Sequence, residues 1–220
     1  MNINQLSIFG HEGRPVPNTF IEQDAGAGSD HLAVLMPGMR YSNAMPLMHF
    51  HARLLTELGA DLLLVDYDYQ HSSEFAAAPD MEQMRWLQAD TSAACRAGLG
   101  RGLYERVTLV GKSLGTMVMP YLLTSVPELE QAQGIWLTPV LLDMMMESFT
   151  AVEQPGLFMI GTADRYYDLA RVDALKRMPA SQVLVIEGAD HSLEIPGDIR
   201  ASTPILGQVL AASATFLGGD

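Results

Sequence analysis

Runs rich in Val, Leu and Ile recur from residue 32 onward, each followed by a turn marked by Gly, Asp or Pro and then by a stretch with helical spacing. That alternation predicts an α/β fold, a mostly parallel sheet doubly covered by helices. The strands predicted over Leu32–Met36, Leu62–Tyr67, Val107–Val110, Ile135–Thr138, Leu157–Ile160 and Val183–Glu187 are apolar almost throughout, as strands buried on both faces are. Before them, Gln5–Phe9 and Val16–Glu22, separated by Gly10, Gly13 and Pro15, predict a two-stranded lead-in, which makes about eight strands.

Between the strands, Leu47, Met48, Leu54, Leu55 and Leu58 form one helical face within 44–58, and Gly59 stands where a C-terminal glycine belongs. Asp80 and Gln83 read as a capping pair for a helix that carries Met81, Met84 and Leu87 on one side and ends near Gly98. Thr203 reads as the cap of the last helix, with Pro204 in its first position and Ile205, Leu206, Val209, Leu210, Phe216 and Leu217 on its buried side. No repeat, low-complexity tract or linker divides the chain, so one domain over 1–220 is expected. The short stretch from Leu142 to Gly156 leaves no room for a separate cap domain.

Composition narrows the partners. In 220 residues, 48% are hydrophobic and 18% charged, enough apolar material for a full core. A formal net charge of −13 at pH 7 repels phosphate backbones and anionic membrane surfaces, which argues against a nucleic-acid partner. Cys95 stands alone, and residues 1–10 lack the basic start and apolar run of a secretory leader, so a reducing cytoplasm is the expected compartment. The longest uncharged run, Ala201 to Gly219, contains Pro204, Gly207 and Gln208 and reads as a buried helix rather than a membrane span.

The sharpest local feature is Gly111-Lys112-Ser113-Leu114-Gly115, directly after a predicted strand and before a helical run. A serine nucleophile must stand clear of the sheet edge on a tight turn, and flanking glycines remove side chains that would collide with the neighbouring strand and helix. A serine hydroxyl also needs a base within hydrogen-bond reach, and the base needs a third group to hold its tautomer. Asp164 and His191 each fall just past the end of a later predicted strand, in Gly161-Thr162-Ala163-Asp164 and Gly188-Ala189-Asp190-His191. The carboxyl ends of parallel strands share one edge, so Ser113, Asp164 and His191 can converge there. A phosphate-binding loop is excluded, because the glycine it needs five positions before Gly111 is replaced by Arg106.

The elbow, the Asp after the next-to-last strand and the His after the last resemble the α/β-hydrolase superfamily, specifically its small lidless serine hydrolases, over nearly the whole chain. The resemblance implies Ser113 as nucleophile, Asp164 as acid and His191 as general base. It also implies an oxyanion hole from the N–H of Leu114 and a second N–H in Pro37-Gly38-Met39-Arg40-Tyr41, where Met39 is the favoured donor. That loop departs from the family's usual His-Gly pattern, which leaves the second donor open. Pro120 is expected to kink or shorten the helix after the elbow.

Asp143, Asp168 and Asp190 are rivals for the acid; Asp168 reads as a helix cap, and Asp190 is expected to point away from His191. Lys112, one of two lysines, reads as a solvated turn residue in preference to a group that steers an anion toward the nucleophile. His49 and His51 lie two apart on a helix and face different ways, so no metal site is expected there. Met39, Met144, Met145 and Met146 are expected near the sheet edge, either as a deformable apolar pocket for an acyl or alkyl group or as loosely specified core filler, and Tyr41 is a further substrate-binding candidate. The function expected is hydrolysis of a small-molecule ester or thioester through an acyl-enzyme, without metal or cofactor. Peptide cleavage or another acyl transfer on the same three residues stays open, as does a binding protein that retains the fold.

Overall fold

The computed structural model describes residues 1–23 and 28–218; the expected domain range and the uncharged run to Gly219 extend past these. The strands are β1 (Asn2–Asn4), β2 (Asn18–Glu22), β3 (His31–Met36), β4 (Asp61–Val65), β5 (Arg106–Lys112), β6 (Gln133–Leu137), β7 (Gly156–Gly161) and β8 (Ser181–Ile186). The α-helices are α1 (Pro46–Glu57), α2 (Ser73–Ala77), α3 (Asp80–Leu99), α4 (Leu114–Ser125), α5 (Asp143–Thr150), α6 (Leu169–Lys176) and α7 (Ile199–Phe216). The eight strands form one sheet in the order β1-β2-β4-β3-β5-β6-β7-β8. β1 and β2 pair antiparallel, and the ladders from β4 through β8 are parallel.

Period-two alternation divides the core between the two faces. From β3, Leu32, Val34 and Met36 join one apolar cluster with Leu87, Val118 and Phe149, from α3, α4 and α5. Ala33 and Leu35 point the other way, into a cluster with Leu47, Met48 and Leu55 of α1 and Ile205 and Val209 of α7. After β3 the chain places β4 on one side and β5 on the other, which opens a crevice at the carboxyl ends of β3 and β5.

Several local expectations give way to stronger competitors. Gln5–Phe9 is not a strand; β1 lies earlier, and Phe9 keeps only an isolated bridge to Pro15. The buried Asn18 amide takes over there, accepting from Leu6 N and donating to Leu6 O, both at 2.9 Å, so Leu6 needs no ladder partner. α3 opens at Pro79 with no side-chain cap, while the Gln83 amide donates to Ala78 O. Its buried face is Leu87, Thr91, Ala94, Cys95 and Gly98, and Met81 is exposed.

Asp198, not Thr203, caps α7 by accepting from Arg200 N and Ala201 N. Thr203 lies inside the helix with its hydroxyl donating to Ile199 O, and Pro204 follows it in the helix interior. α4 runs on through Pro120 to Ser125, held in the core by Val118, Met119, Leu122 and Leu123. The stretch from Leu142 to Gly156, expected to lack a cap, holds the single short helix α5, packed against α4 and α6.

Close backbone packing sets the geometry at the sheet's carboxyl edge. A Cβ on Gly161, the last residue of β7, would lie 1.9 Å from Ala189 O in the loop after β8. Ala163 N donates to the same carbonyl at 2.9 Å, so the two loops are stitched together here. Gly161→Ala must push these loops apart and is expected to cost about 1–3 kcal/mol. A thermal melt shifted down by several degrees checks this, and an unchanged Tm contradicts it.

Candidate active site

Ladder hydrogen bonds deliver the functional side chains to one edge. Ser113 N donates to Leu137 O at 3.0 Å, which continues the β5–β6 pairing one step past Lys112. There the chain reverses into α4, with Ser113 at φ 49°, ψ −109°. This left-handed conformation disfavours a side chain by about 1–3 kcal/mol and persists only where the surroundings enforce it. The enforcement is visible at the flanking glycines. A Cβ on Gly115 would lie 2.1 Å from Met36 O, and one on Gly111 would lie 2.4 Å from Met119 Sδ. Gly38 makes room on the third side, where a Cβ would meet Ser113 Cβ at 3.2 Å.

Thr162 N likewise extends the β7–β8 ladder by donating to Ile186 O, and the turn that follows carries Asp164. Asp164 is buried, and its Oδ2 lies 2.7 Å from His191 Nδ1. Its Oδ1 accepts from Tyr166 N at 2.9 Å. His191 Nε2 lies 2.8 Å from Ser113 Oγ. An ionised carboxylate only accepts, so Nδ1 carries the ring proton and Nε2 is left to accept from the serine hydroxyl. The Tyr166 ring meets the imidazole edge-on at 5.2 Å.

The rival carboxylates are engaged elsewhere. Asp190 folds back on its own loop and accepts from Ser192 N and Glu194 N. Asp168 caps α6 by accepting from Arg171 N, and Asp143 opens α5 in a pair with Arg171.

A cleft of about 660 Å³ opens above Ser113 and His191. Met39 and Tyr41 line it. Among the described residues, neither Met39 N nor Leu114 N has a protein acceptor; Leu114 opens α4, where no preceding turn offers a carbonyl. Met144, Met145 and Met146 do not line the cleft. They lie on α5, where Met145 is buried beside Phe149, Met144 faces solvent, and Met146 borders a hollow toward α6. The helix packs its apolar side down onto α4, so no methionine row turns toward Ser113. The cleft is lined instead by Arg40, Lys112 and Arg165 beside Asp190 and Ser192.

Lys112 departs furthest from its expected place. A residue beside a tight turn normally faces solvent, but this side chain is 2% exposed. Its Nζ donates to His191 O at 3.0 Å and Thr138 Oγ1 at 3.2 Å, and it lies 4.5 Å from the centre of the Tyr41 ring. The Tyr41 hydroxyl accepts from Leu47 N, which ties the ring to the start of α1. Burial lowers the Lys112 pKa to about 8, against the opposing pull of Asp164 and Asp190. Burial also raises the Tyr41 hydroxyl to about 12. Lys112 was hidden because a strand-end lysine has no sequence mark of burial. Arg40 and Arg165 could have been found, since each directly follows a residue already placed at the edge.

His49 and His51 form no metal site. The buried His51 bonds Leu47 O and Ser213 Oγ, which locks α1 to α7, and burial lowers its pKa to about 4. No cluster of metal-ligating side chains occurs among the described residues. No helix among them is long and apolar enough to cross a membrane.

The model of the family described as "Alpha/beta hydrolase domain" matches residues 30–216. No curated protein matches the chain. Among solved structures it is similar to an esterase of Pyrococcus furiosus, with TM-score 0.74 and 16% identity over 99% of this chain and 90% of that one. A Xanthomonas campestris protein described as an α/β serine hydrolase without lid gives TM-score 0.70 and 19% identity, covering 98% and 95%. A dienelactone hydrolase-like promiscuous phosphotriesterase from metagenomic libraries gives 0.72 and 18%, covering 98% of both chains.

A lysine with a lowered pKa binds fewer protons folded than unfolded between its folded and ordinary values. Its charged form therefore destabilises the fold below about pH 8, and this penalty fades as pH rises. With only two lysines present, ¹³C-lysine NMR resolves the Lys112 Cε signal. We expect it to titrate near pH 8; a midpoint at the ordinary lysine value near 10.4 contradicts its buried setting.

Proposed function

The chain belongs to the alpha/beta hydrolase domain family, and from that premise we propose that it is a serine hydrolase cleaving an ester or thioester bond of a small substrate. The observation that carries this reading is the unbroken line from Asp164 Oδ2 to His191 to Ser113 Oγ, with contacts of 2.7 and 2.8 Å, ending at a serine held at positive φ.

His191 Nε2 accepts the Ser113 proton as Oγ attacks the substrate carbonyl. The imidazolium formed is stabilised by Asp164, which burial and the Tyr166 N–H hold against the Nδ1 side. The N–H groups of Leu114 and Met39 receive the negative oxygen of the tetrahedral intermediate. Its collapse expels the alcohol or thiol, protonated by His191, and leaves an acyl group on Ser113. A water deprotonated by His191 then attacks the acyl carbon, and the second collapse returns the proton to Ser113 and releases the acid. No step calls for a metal or organic cofactor.

An exposed crevice favours small soluble esters, since α5 is the sole helix in the β6–β7 connection and does not roof the cleft. Peptidase activity or another acyl transfer would use the same three groups, and a panel of ester, thioester and peptide substrates separates them.

A fluorophosphonate probe should label Ser113 in the wild type and fail on Ser113→Ala, while ester turnover falls by at least about 10⁴-fold in that variant. Absence of labelling in the folded wild type would overturn the hydrolase reading in favour of a binding role.

A further inference from the structure

We propose that the substrate carries an oxyanion, a carboxylate or phosphate, besides the scissile ester, and that Arg40 and Arg165 bind it. This rests on the hydrolase reading and specifies its substrate class. Acidic residues outnumber basic ones two to one here, 26 against 13, so an exposed cation can readily find a carboxylate. Arg14 pairs with Glu74, Arg106 with Asp30 and Arg171 with Asp143. Among the described residues Arg40, Arg53, Arg165, Arg177 and Arg200 form no ion pair, and of these Arg40 and Arg165 line the Ser113 cleft. Arg165 lies over the Tyr166 ring, 4.7 Å from its centre, and that ring abuts His191. Arg40 stands between the cleft and a neighbouring hollow of about 320 Å³ bordered by Tyr69, His71 and Phe75.

Among the described residues the one carboxylate lining the cleft, Asp190, is held by two backbone N–H groups of its own loop. Two unpaired guanidiniums flanking the nucleophile are therefore a local positive site on a strongly negative molecule. Planar guanidinium donors match the paired oxygens of carboxylate and phosphate. The surrounding negative field repels anions, so the local site must supply the selectivity at short range.

Hydrolysis by the wild type, followed by pH-stat, compares monomethyl adipate with methyl hexanoate for an anion on the acyl side. 4-Acetoxybutanoate against butyl acetate tests the alcohol side, and methyl 5-phosphonopentanoate tests phosphate-like over carboxylate chemistry. At least one charged ester should exceed its neutral partner in kcat/KM by about tenfold or more, as expected for a charge-assisted contact. Arg40→Gln and Arg165→Gln should each bring that ratio toward one. Equal rates on charged and neutral esters, or a ratio untouched by both substitutions, overturn the proposal. No turnover of any ester together with no labelling of Ser113 instead overturns the hydrolase reading itself.

A separate observation concerns Lys112, which we infer to be a positioning residue that holds the histidine loop and the Met39–Tyr41 loop in register with Ser113. Among the described residues it alone reaches the His191 carbonyl, the Thr138 hydroxyl at the end of β6, and the Tyr41 ring. The charged groups facing it are Asp164, Asp190 and Arg165. Its ammonium thus joins the base's loop to that of the second oxyanion donor without touching the reacting atoms.

The fluorophosphonate labelling rate of Ser113 reads the assembled site. Lys112→Met should slow labelling by about tenfold or more, and Lys112→Arg should recover part of it. In the wild type the rate should decline as pH rises through about 8, a limb absent from Lys112→Met. Labelling at the wild-type rate in a folded Lys112→Met variant overturns the role. So does a wild-type profile without inflection between pH 7 and 9, which remains decisive if the variant does not fold.

Discussion

The close approach of Gly115 to the Met36 carbonyl governs the geometry of this molecule. With no side chain at 115, α4 starts directly beneath the end of β3, and the chain from β5 must turn within one residue to reach it. That residue is Ser113, and the turn forces it to φ 49°. Any Cβ at 111 or 115 would widen the turn and relax the serine toward ordinary backbone space. The hydroxyl would then leave the 2.8 Å contact with His191. Strain at one position and absence of side chains at two others are a single design, and the remaining groups are arranged around its result.

The parts of this design that repeat along the chain were legible in the sequence. Continuous apolar strands, each ending in small or polar residues, located the carboxyl edge because a strand buried on both faces has few other sequences open to it. Ser113, Asp164 and His191 could be placed without coordinates for that reason: each is tied to a strand end, and the ladder bonds at Ser113 and Thr162 carry the pairing into the loops. The doubly covered sheet followed from the same alternation.

What stayed hidden depended on orientation within an element or on long-range partners. Met144, Met145 and Met146 sit near the correct end of the sheet, but the rotation of α5 about its axis sends Met145 into the core and Met144 to solvent. Asn18 replaces a strand partner for Leu6 through its side chain, a choice that hydrophobic patterning does not register. Likewise, Asp198 outcompetes Thr203 as a cap because two backbone donors converge on its carboxylate. In each case local propensity was outweighed by a contact to a residue that the one-dimensional pattern cannot weigh.

Lys112 illustrates how burial and function are linked at such an edge. Removing an ammonium from water is costly, and here the cost is offset by two carbonyl or hydroxyl acceptors, an aromatic face and the field of two carboxylates. These partners come from four different segments of chain. A neutral apolar residue could fill the same volume at lower desolvation cost, yet it would leave the His191 carbonyl and Thr138 hydroxyl without this donor. The lysine therefore ties these loops together at some expense to stability, while Arg40 and Arg165, which form no ion pair among the described residues, line the cleft. Charge at Lys112 joins these loops, and charge at Arg40 and Arg165 faces the cleft.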